Sequence, residues 1–304
     1  MSHSGVMPMT QARSRNFHRF YDINGWCFVL ASLPLVLLFM IYPILNSLWL
    51  SLHSGKGVIV QFVGFGNITR LMNDQVFITA LTNTLIFLIV QVPLMILLSL
   101  ATASCLNSPN VRFRSFFRMA IFLPCVTSLV AYSILFKSMF GYDGIVNSAL
   151  MTIGLIEHPI AWLTDPFWSK VTIILAITWR WTGYNMIFYL AAMQNIDKSI
   201  YEAAKLEGVS PVQTFFHITV PLLKPVILFT SVMSTIGTLQ LFDEVMNITN
   251  GGPANATLTL SMYIYNLSFK FVPNFGYAAT VSYVIVFFAA VLALVQFKFV
   301  QDKK

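Results

Sequence analysis

Charge is scarce in this sequence: only 10% of its 304 residues are Asp, Glu, Lys or Arg, against 57% apolar, including 27 Phe and 14 Met. A soluble domain carries about 25% charged residues, so there is too little polar surface here to coat a globule in water, and a bilayer is the expected solvent. Cysteine is also sparse. Cys27, Cys105 and Cys125 are odd in number, have neither C-x-x-C nor Cys–His spacing, and lie in or beside apolar runs; they read as small hydrophobes, not disulfides or metal ligands. No G-x-x-x-x-G-K-[ST] occurs, since Ser54-Gly-Lys-Gly57 lacks both the earlier glycine and the following hydroxyl, so the chain cannot cradle a nucleotide phosphate by that route. His53, His158 and His217 are isolated and His3 and His18 sit in the N-terminal arm, so no metal site is expected. Asp243 and Glu244 are adjacent and point differently on a helix, so neither a carboxylate pair nor a Ser-His-Asp set marks an enzyme. The first two dozen residues are polar and basic, with no short apolar stretch and small-residue cleavage site, and no cleaved leader is expected. The formal charge of +7 is neither clustered on a polar domain nor interleaved with exposed aromatics, which argues against a nucleic-acid partner.

Long apolar runs are what the sequence has. A spanning helix needs about 20 mostly apolar residues, and six stretches qualify: roughly Trp26–Ser51, Val76–Cys105, Met119–Phe140, Val171–Gln194, Val226–Met246 and Tyr277–Phe297. The expected fold is all-α, a multi-pass inner-membrane protein of six transmembrane helices. Cytoplasmic loops carry the excess of Lys and Arg. Twelve of the eighteen fall in the N-terminal arm (Arg13, Arg15, Arg19), after the second span (Arg112, Arg114, Arg118), after the fourth (Lys198, Lys205, Lys224) and at the C-terminus (Lys298, Lys303, Lys304), which places both termini in the cytoplasm. Lys56, Arg70, Lys137, Lys170 and Lys270 fall on the other side, and Arg180 inside the fourth span. The organisation is therefore an arm at 1–25, a six-span domain at 26–298 with a cytoplasmic loop at 195–225, and a tail at 299–304. Pro34, Pro43, Pro93 and Pro124 predict kinked helices, tolerated in lipid only where neighbours satisfy the freed backbone groups. No internal repeat of the kind found in secondary transporters is evident.

The loop Asn195–Pro225 has its own helix punctuation. Ser199-Ile-Tyr-Glu202 predicts a capping box, Gly208 a left-handed stop, and Ser210-Pro211 with Gln213 a second box and helix start. Two short helices joined by a Gly turn are expected, with Tyr201, Ala204, Lys205 and Gly208 on one stripe, and small Ala203 and Ala204 allowing close approach of another surface. Such a unit can either dock into a partner or rest on the headgroups.

Glu202-Ala203-Ala204-x-x-x-Gly208 followed by Ile218-x-Val220-Pro221 resembles the EAA loop of ABC-importer membrane subunits. Phe62-Val-Gly-Phe-Gly-Asn67, Ala80-Leu-Thr-Asn-Thr84, Trp162-Leu-Thr-Asp-Pro-Phe-Trp168, Gly183-Tyr-Asn185 with Leu190-Ala-Ala192, and Thr249-Asn-Gly-Gly-Pro253 are similar to its carbohydrate branch, from about Trp26 to the end. The resemblance implies a type I importer permease fold. It also implies that Glu202, Ala203, Ala204, Gly208 and Pro221 couple the chain to a separate ATPase, which would bind the ATP and magnesium. The implied partners are a second homologous permease subunit, two ATPase subunits, a solute-binding protein that is periplasmic or lipid-anchored, a sugar and membrane lipid. The large periplasmic insertion of the maltose-importer type is not present, so the compact six-span members are the nearer pattern.

A sugar is held by hydroxyl hydrogen bonds and by stacking on aromatic rings, so a sugar path should place amides, carboxylates and aromatics inside spans. The fourth span offers Trp179, Arg180, Trp181, Tyr184 and Asn185, and the fifth Gln240, Phe242, Asp243 and Glu244. A charge at such depth costs about 2.5–3.5 kcal/mol on insertion scales and marks function by default. The residues leave open whether Arg180 serves the substrate or only pairs with Asp243 or Glu244, and only one of Trp179 and Trp181 is expected on the path. By resemblance to the maltose importer, Trp181 and Gly183 fall on the sugar-contact region, while Thr238 and Leu241 stand where its fifth-span contacts would be. Two rival functions remain at this point: a glycerol-phosphate-type importer, and a proton-coupled sugar carrier using Arg180 with Asp243 as its relay.

Overall fold

The computed structural model describes residues 25–26, 29–30, 32–55, 60–108 and 111–301. Arg13, Arg15, Arg19, Cys27, Lys56, Lys303, Lys304 and the two N-terminal histidines lie outside the described residues. Among the described residues the regular structure is helical apart from a short hairpin, in which β1 (His53–Ser54) pairs antiparallel with β2 (Gln61–Phe62). The helices are α1 (Ser32–Ser51), α2 (Gly66–Asn73), α3 (Gln75–Asn107), α4 (Arg114–Val126), α5 (Leu129–Met139), α6 (Ile145–Thr152) and α7 (Pro166–Gln194). There follow α8 (Lys198–Leu206), α9 (Pro211–Leu222), α10 (Lys224–Leu239), α11 (Asp243–Ile248), α12 (Leu260–Tyr265) and α13 (Phe275–Gln301).

Among the described residues three helices, α1, α3 and α13, are long and apolar enough to cross a membrane unbroken. The third and fifth expected spans are not single rods. The third is two helices, α4 and α5, bent by 100° at Thr127–Ser128. There Thr127 and Ser128 turn extended, and the Pro124 carbonyl, left without a helical amide, accepts from the Thr127 hydroxyl at 2.8 Å. The fifth span begins only at Lys224, after a 71° bend from α9, and its helix stops at Leu239, with Gln240, Leu241 and Phe242 outside any helix before α11. With α7, a continuous helix of 29 residues, these pieces are consistent with six crossings.

Lipid is as apolar as leucine, so membrane helices associate through close packing and hydrogen bonds more than through burial of oil. The centre of this bundle follows that rule. Helix α3 lies along α7 with Ala80, Ala103 and Ala176 fully buried, and the Ser99 hydroxyl donates to the Thr182 carbonyl at 3.0 Å. Helix α4 packs on α7, α10 lies between α3 and α13, and α1 is held on α13, where the Tyr283 hydroxyl donates to the Ile44 carbonyl at 2.7 Å. The chain direction collects Arg112, Arg114, Arg118, Lys198, Lys205, Lys224 and Lys298 at one end with α8 and α9, and the hairpin at the other.

Several segments that looked distinctive in sequence are ties at the hairpin end. Asn67 donates to the carbonyls of Ser51 and His53, both at 2.8 Å. Asn83 donates to the carbonyls of Asn255 and Leu258, and Thr84 accepts from the Leu260 amide. Trp162 donates to Asn147 at 2.8 Å and meets Trp168 edge-on. Asp74 gathers most: one oxygen caps α3 through the Val76 and Phe77 amides, and the other accepts from the hydroxyls of Tyr263 and Tyr277, each at 2.6 Å.

Burial works against ionisation of Asp74, yet the two phenol and two amide donors outweigh it and hold the carboxyl below its ordinary value. A depressed carboxylate stabilises the fold above its unfolded pKa of about 3.9, and that contribution is lost as pH falls through the lower folded value. Asp74→Asn should therefore cost about 1–2 kcal/mol at neutral pH, discounted for partial exposure. Thermal melts of the solubilised protein should show a lower Tm for the variant at pH 7 and a shrinking gap below about pH 4; a gap that stays constant with pH contradicts this role.

Candidate functional site

The two broken crossings meet. Helix α11 packs on α5, and beside them a half-open cavity of about 360 Å³ runs between α3, α7 and α10. That volume is at the lower end of the ~300–1,000 Å³ typical of small-molecule sites. Eight of the residues expected on a substrate path line it: Trp181, Tyr184, Asn185, Thr238, Gln240, Phe242, Asp243 and Glu244.

The other three do not. Gly183 is buried against α4, where an added Cβ would stand 2.0 Å from the Ile121 carbonyl oxygen, so its role is to let two helices touch. Trp179 stacks on Tyr132 of α5 and lies tilted against Phe136, with ring centroids 6.0 and 5.4 Å away. Arg180 is 7% exposed and turned toward α4 and α5. One of its nitrogens donates weakly to the Cys125 carbonyl at 3.5 Å, and its guanidinium lies 5.3 Å from the Tyr132 ring and 5.7 Å from that of Trp181. No ion pair within 4 Å joins it to Asp243 or Glu244, and its Nε and Nη1 have no partner. Of the two readings left open for Arg180, the ion pair with Asp243 or Glu244 is not formed: the guanidinium sits among Tyr132, Cys125 and Trp181 and reaches Glu244 only as a charge at longer range. Of the two tryptophans, Trp181 is the one on the cavity.

The irregular stretch at Gln240–Phe242 is held from outside the helix: the Thr259 hydroxyl donates to the Leu241 carbonyl at 2.7 Å. Thr238 donates to Gln91 Oε1 at 2.9 Å. Gln91 and Asn185 each point an amide donor at the sulfur of Met95, both at 3.3 Å, and a thioether is a weak acceptor. Along the opposite side Trp181, Tyr184, Phe188 and Phe229 follow one another at centroid spacings of 5.6, 5.1 and 5.9 Å. Gln91, Met95, Ser234 and Gly237 were missed from sequence; a glutamine at mid-span two residues before Pro93 was the signal for the first.

The loop at the opposite end is folded as two helices, with one correction in its chemistry. Asp197, not Ser199, caps α8, accepting from the Ser199 amide at 3.0 Å, so the Ser199–Glu202 box does not form. A carboxylate is a preferred cap and favours the helix N-terminus electrostatically, and starting the helix there puts Ser199 inside its first turn. Those hydrogen bonds from the Ser199 amide and hydroxyl hold Asp197 below the usual carboxylate range. The Ser210–Gln213 box is present, and Gly208 sits at φ +73°. Ala204, 5% exposed, and Tyr201, whose hydroxyl meets that of Thr219 at 3.2 Å, face inward onto α9. The outward face instead carries Glu202, Ala203 and Leu206, the last 90% exposed.

Residues 84–301 match the family of binding-protein-dependent transport system inner membrane components. The chain belongs to that family. It is 62% identical to the lactose transport system permease protein LacF of Rhizobium radiobacter, over 97% of this chain and 99% of that one. It is 35% identical to the arabinooligosaccharides transport system permease protein AraP of Bacillus subtilis, over 86% and 83% of the two chains. Among solved structures, a bacterial ABC transporter involved in import of the acidic polysaccharide alginate matches with a TM-score of 0.82 at 22% identity, over 97% of this chain and 100% of its own. A second alginate-transporter structure, in complex with an alginate pentasaccharide-bound periplasmic protein, matches at 0.76 with 25% identity over 94% of each chain. The fold is therefore that of a type I importer permease, and the chain is a multi-pass inner-membrane transport component, not an enzyme.

Two glycines separate packing from cavity. Gly183→Ala should destabilise the solubilised protein by about 1–3 kcal/mol, because α4 has to move off α7. Gly237→Ala, which meets nothing within 4 Å, should be neutral or gain about 0.5–1 kcal/mol from helix propensity. Melting temperatures decide; equal shifts would show that the close approach at Gly183 is not required.

Proposed function

We propose that this chain is one permease half of an ATP-driven sugar importer. It would pair with a homologous second half, two ATPase subunits that bind ATP and magnesium, and a solute-binding protein that delivers the sugar. The observation that carries the sugar reading is the cavity wall. It sets an aromatic strip, Trp181 to Phe229, beside the amides of Gln91 and Asn185, each of which spends a donor on the Met95 sulfur. A sugar hydroxyl is a better acceptor than the Met95 sulfur, so the N–H that Gln91 and Asn185 each aim at that sulfur can pass to a sugar at little loss. Asn185 keeps the Trp181 carbonyl and Gln91 keeps the Thr238 hydroxyl, and a pyranose C–H face stacks on Trp181 or Tyr184. The relatives named for lactose and for arabinooligosaccharides support a di- or oligosaccharide cargo.

In this reading the α8–α9 end is cytoplasmic, with both termini, as the Lys and Arg distribution favours. The outward face of α8, with Glu202, Ala203 and Leu206, seats in a cleft of the ATPase, and Ala204, Gly208 and Pro221 keep the two-helix unit stiff. Closure of the ATPase pair then moves this unit as a lever, and α10 swings about its bends at Leu223 and Gln240 to open the cavity alternately to each side. The proton-carrier reading loses support, because Arg180 and Asp243 make no contact that could relay a proton.

Energy source is the direct test. Uptake should persist when the proton gradient is collapsed and stop when cellular ATP is exhausted; the reverse pattern contradicts the proposal. Within the chain, Gly208→Val forces a β-branched residue into the left-handed region. It should leave membrane insertion and ATP hydrolysis by the complex intact while uptake falls at least about tenfold, and normal uptake in that variant would remove the lever.

A further inference from the structure

The cavity is charged with one sign. Asp243 and Glu244 both line it, Glu244 being 5% exposed, and no Lys or Arg is among its lining residues. Arg180 is not among the lining residues; its guanidinium lies against the Tyr132 ring and the Cys125 carbonyl, close enough to Glu244 for the two charges to interact but without an ion pair to it. Lys137 belongs to a separate pocket nearer the hairpin end, with Asn247 and Asn250. The remaining polar side chains of the lining, among them Gln91, Asn185, Ser234, Thr238 and Gln240, are uncharged.

From this arrangement we infer that the cavity admits neutral saccharides and rejects anionic ones, with Asp243 and Glu244 as the residues that discriminate. The inference rests on the sugar-importer reading and deepens it. Carboxylates accept charge-assisted hydrogen bonds from sugar hydroxyls. The same carboxylates repel a uronate or a sugar phosphate, with exposed Asp243 partly screened by solvent at the half-open mouth, and no guanidinium or ammonium on the lining offers such an anion a partner. A built-in repulsive element of this kind separates substrates of equal size and shape that aromatic stacking alone cannot tell apart. It also bears on the choice between a sugar and a phosphorylated polyol as cargo, since a phosphate ester would meet two carboxylates and no cation on this wall.

The test uses the purified importer complex without its solute-binding protein, so that selection by that protein does not intervene. Binding of lactose is compared with that of lactobionate, the same disaccharide carrying a carboxylate in place of its reducing end, by saturation-transfer NMR titration. The native complex should bind lactobionate at least about tenfold more weakly than lactose. Asp243→Asn and Glu244→Gln, each made singly so that one can stand if the other does not assemble, should narrow that ratio to about threefold or less by strengthening lactobionate binding. Equal affinity for the two ligands in the native complex, or a ratio that neither variant moves, overturns the charge rule and leaves the importer reading in place. Absence of saturable binding by either ligand contradicts the importer reading itself, and the charge rule falls with it.

Discussion

A helix interrupted inside a bilayer leaves amides and carbonyls that hydrocarbon cannot satisfy, and irregular backbone survives at that depth only where protein or a water-filled cavity covers it. Two crossings of this chain are interrupted, and much of the remaining structure serves to cover the interruptions. Thr127 answers the Pro124 carbonyl, Thr259 answers Leu241, and Thr238 is tied to Gln91 of α3. Because α5 and α11 pack against each other, the two breaks lie together, and the space beside them is the cavity. The same constraint that makes the breaks expensive thus places polar groups where a hydroxylated ligand can use them.

The two ends of the molecule have different tasks. At the hairpin end Asp74, Asn67, Asn83 and Asn147 bind loops to helix ends by several hydrogen bonds each, so that this face is fixed in shape. At the other end α8 and α9 are capped and packed on each other through Tyr201 and Ala204 but leave Leu206 and Ala203 outside. A small stiff unit whose outer face mixes Leu206 and Ala203 with Glu202 and Lys205 is suited to transmitting a displacement, since little of the motion is lost within it. Between the ends, α10 is flanked by a bend at Leu223 and a break at Gln240, which makes it the natural moving part.

Much of this could be read from the sequence, for physical reasons that differ by region. Span positions were legible because about twenty apolar residues in a row have few other uses, and the α9 cap because Ser210, Pro211 and Gln213 satisfy local groups only. The full breaks in the third and fifth crossings were not, since Thr127-Ser128 and Gln240 are only short polar interruptions in otherwise apolar runs and the compensating hydroxyl at Thr259 lies far along the chain. Asp197 displaced Ser199 as cap because a carboxylate competes two residues earlier. Gly183 and Trp179 looked like path residues by type and depth; their packing on Ile121 and on Tyr132 is tertiary and leaves no local signature. Ala204 carried half of the small-residue signal expected on the docking face, and it faces its own loop.

The central claim is that the polar space beside the broken fifth crossing is the route of the sugar. Gly237 offers the most direct probe, because it lines the cavity and an added side chain meets nothing within 4 Å. A single cysteine placed there, in a chain whose Cys27, Cys105 and Cys125 are replaced by serine, can be titrated with a charged, membrane-impermeant thiol reagent in the assembled importer. The account predicts that the cysteine is labelled, that transported sugar protects it, and that trapping the ATPase in its closed state changes the side from which the reagent reaches it. A cysteine that stays unlabelled from both sides, or is labelled at a rate that sugar does not alter, would contradict it.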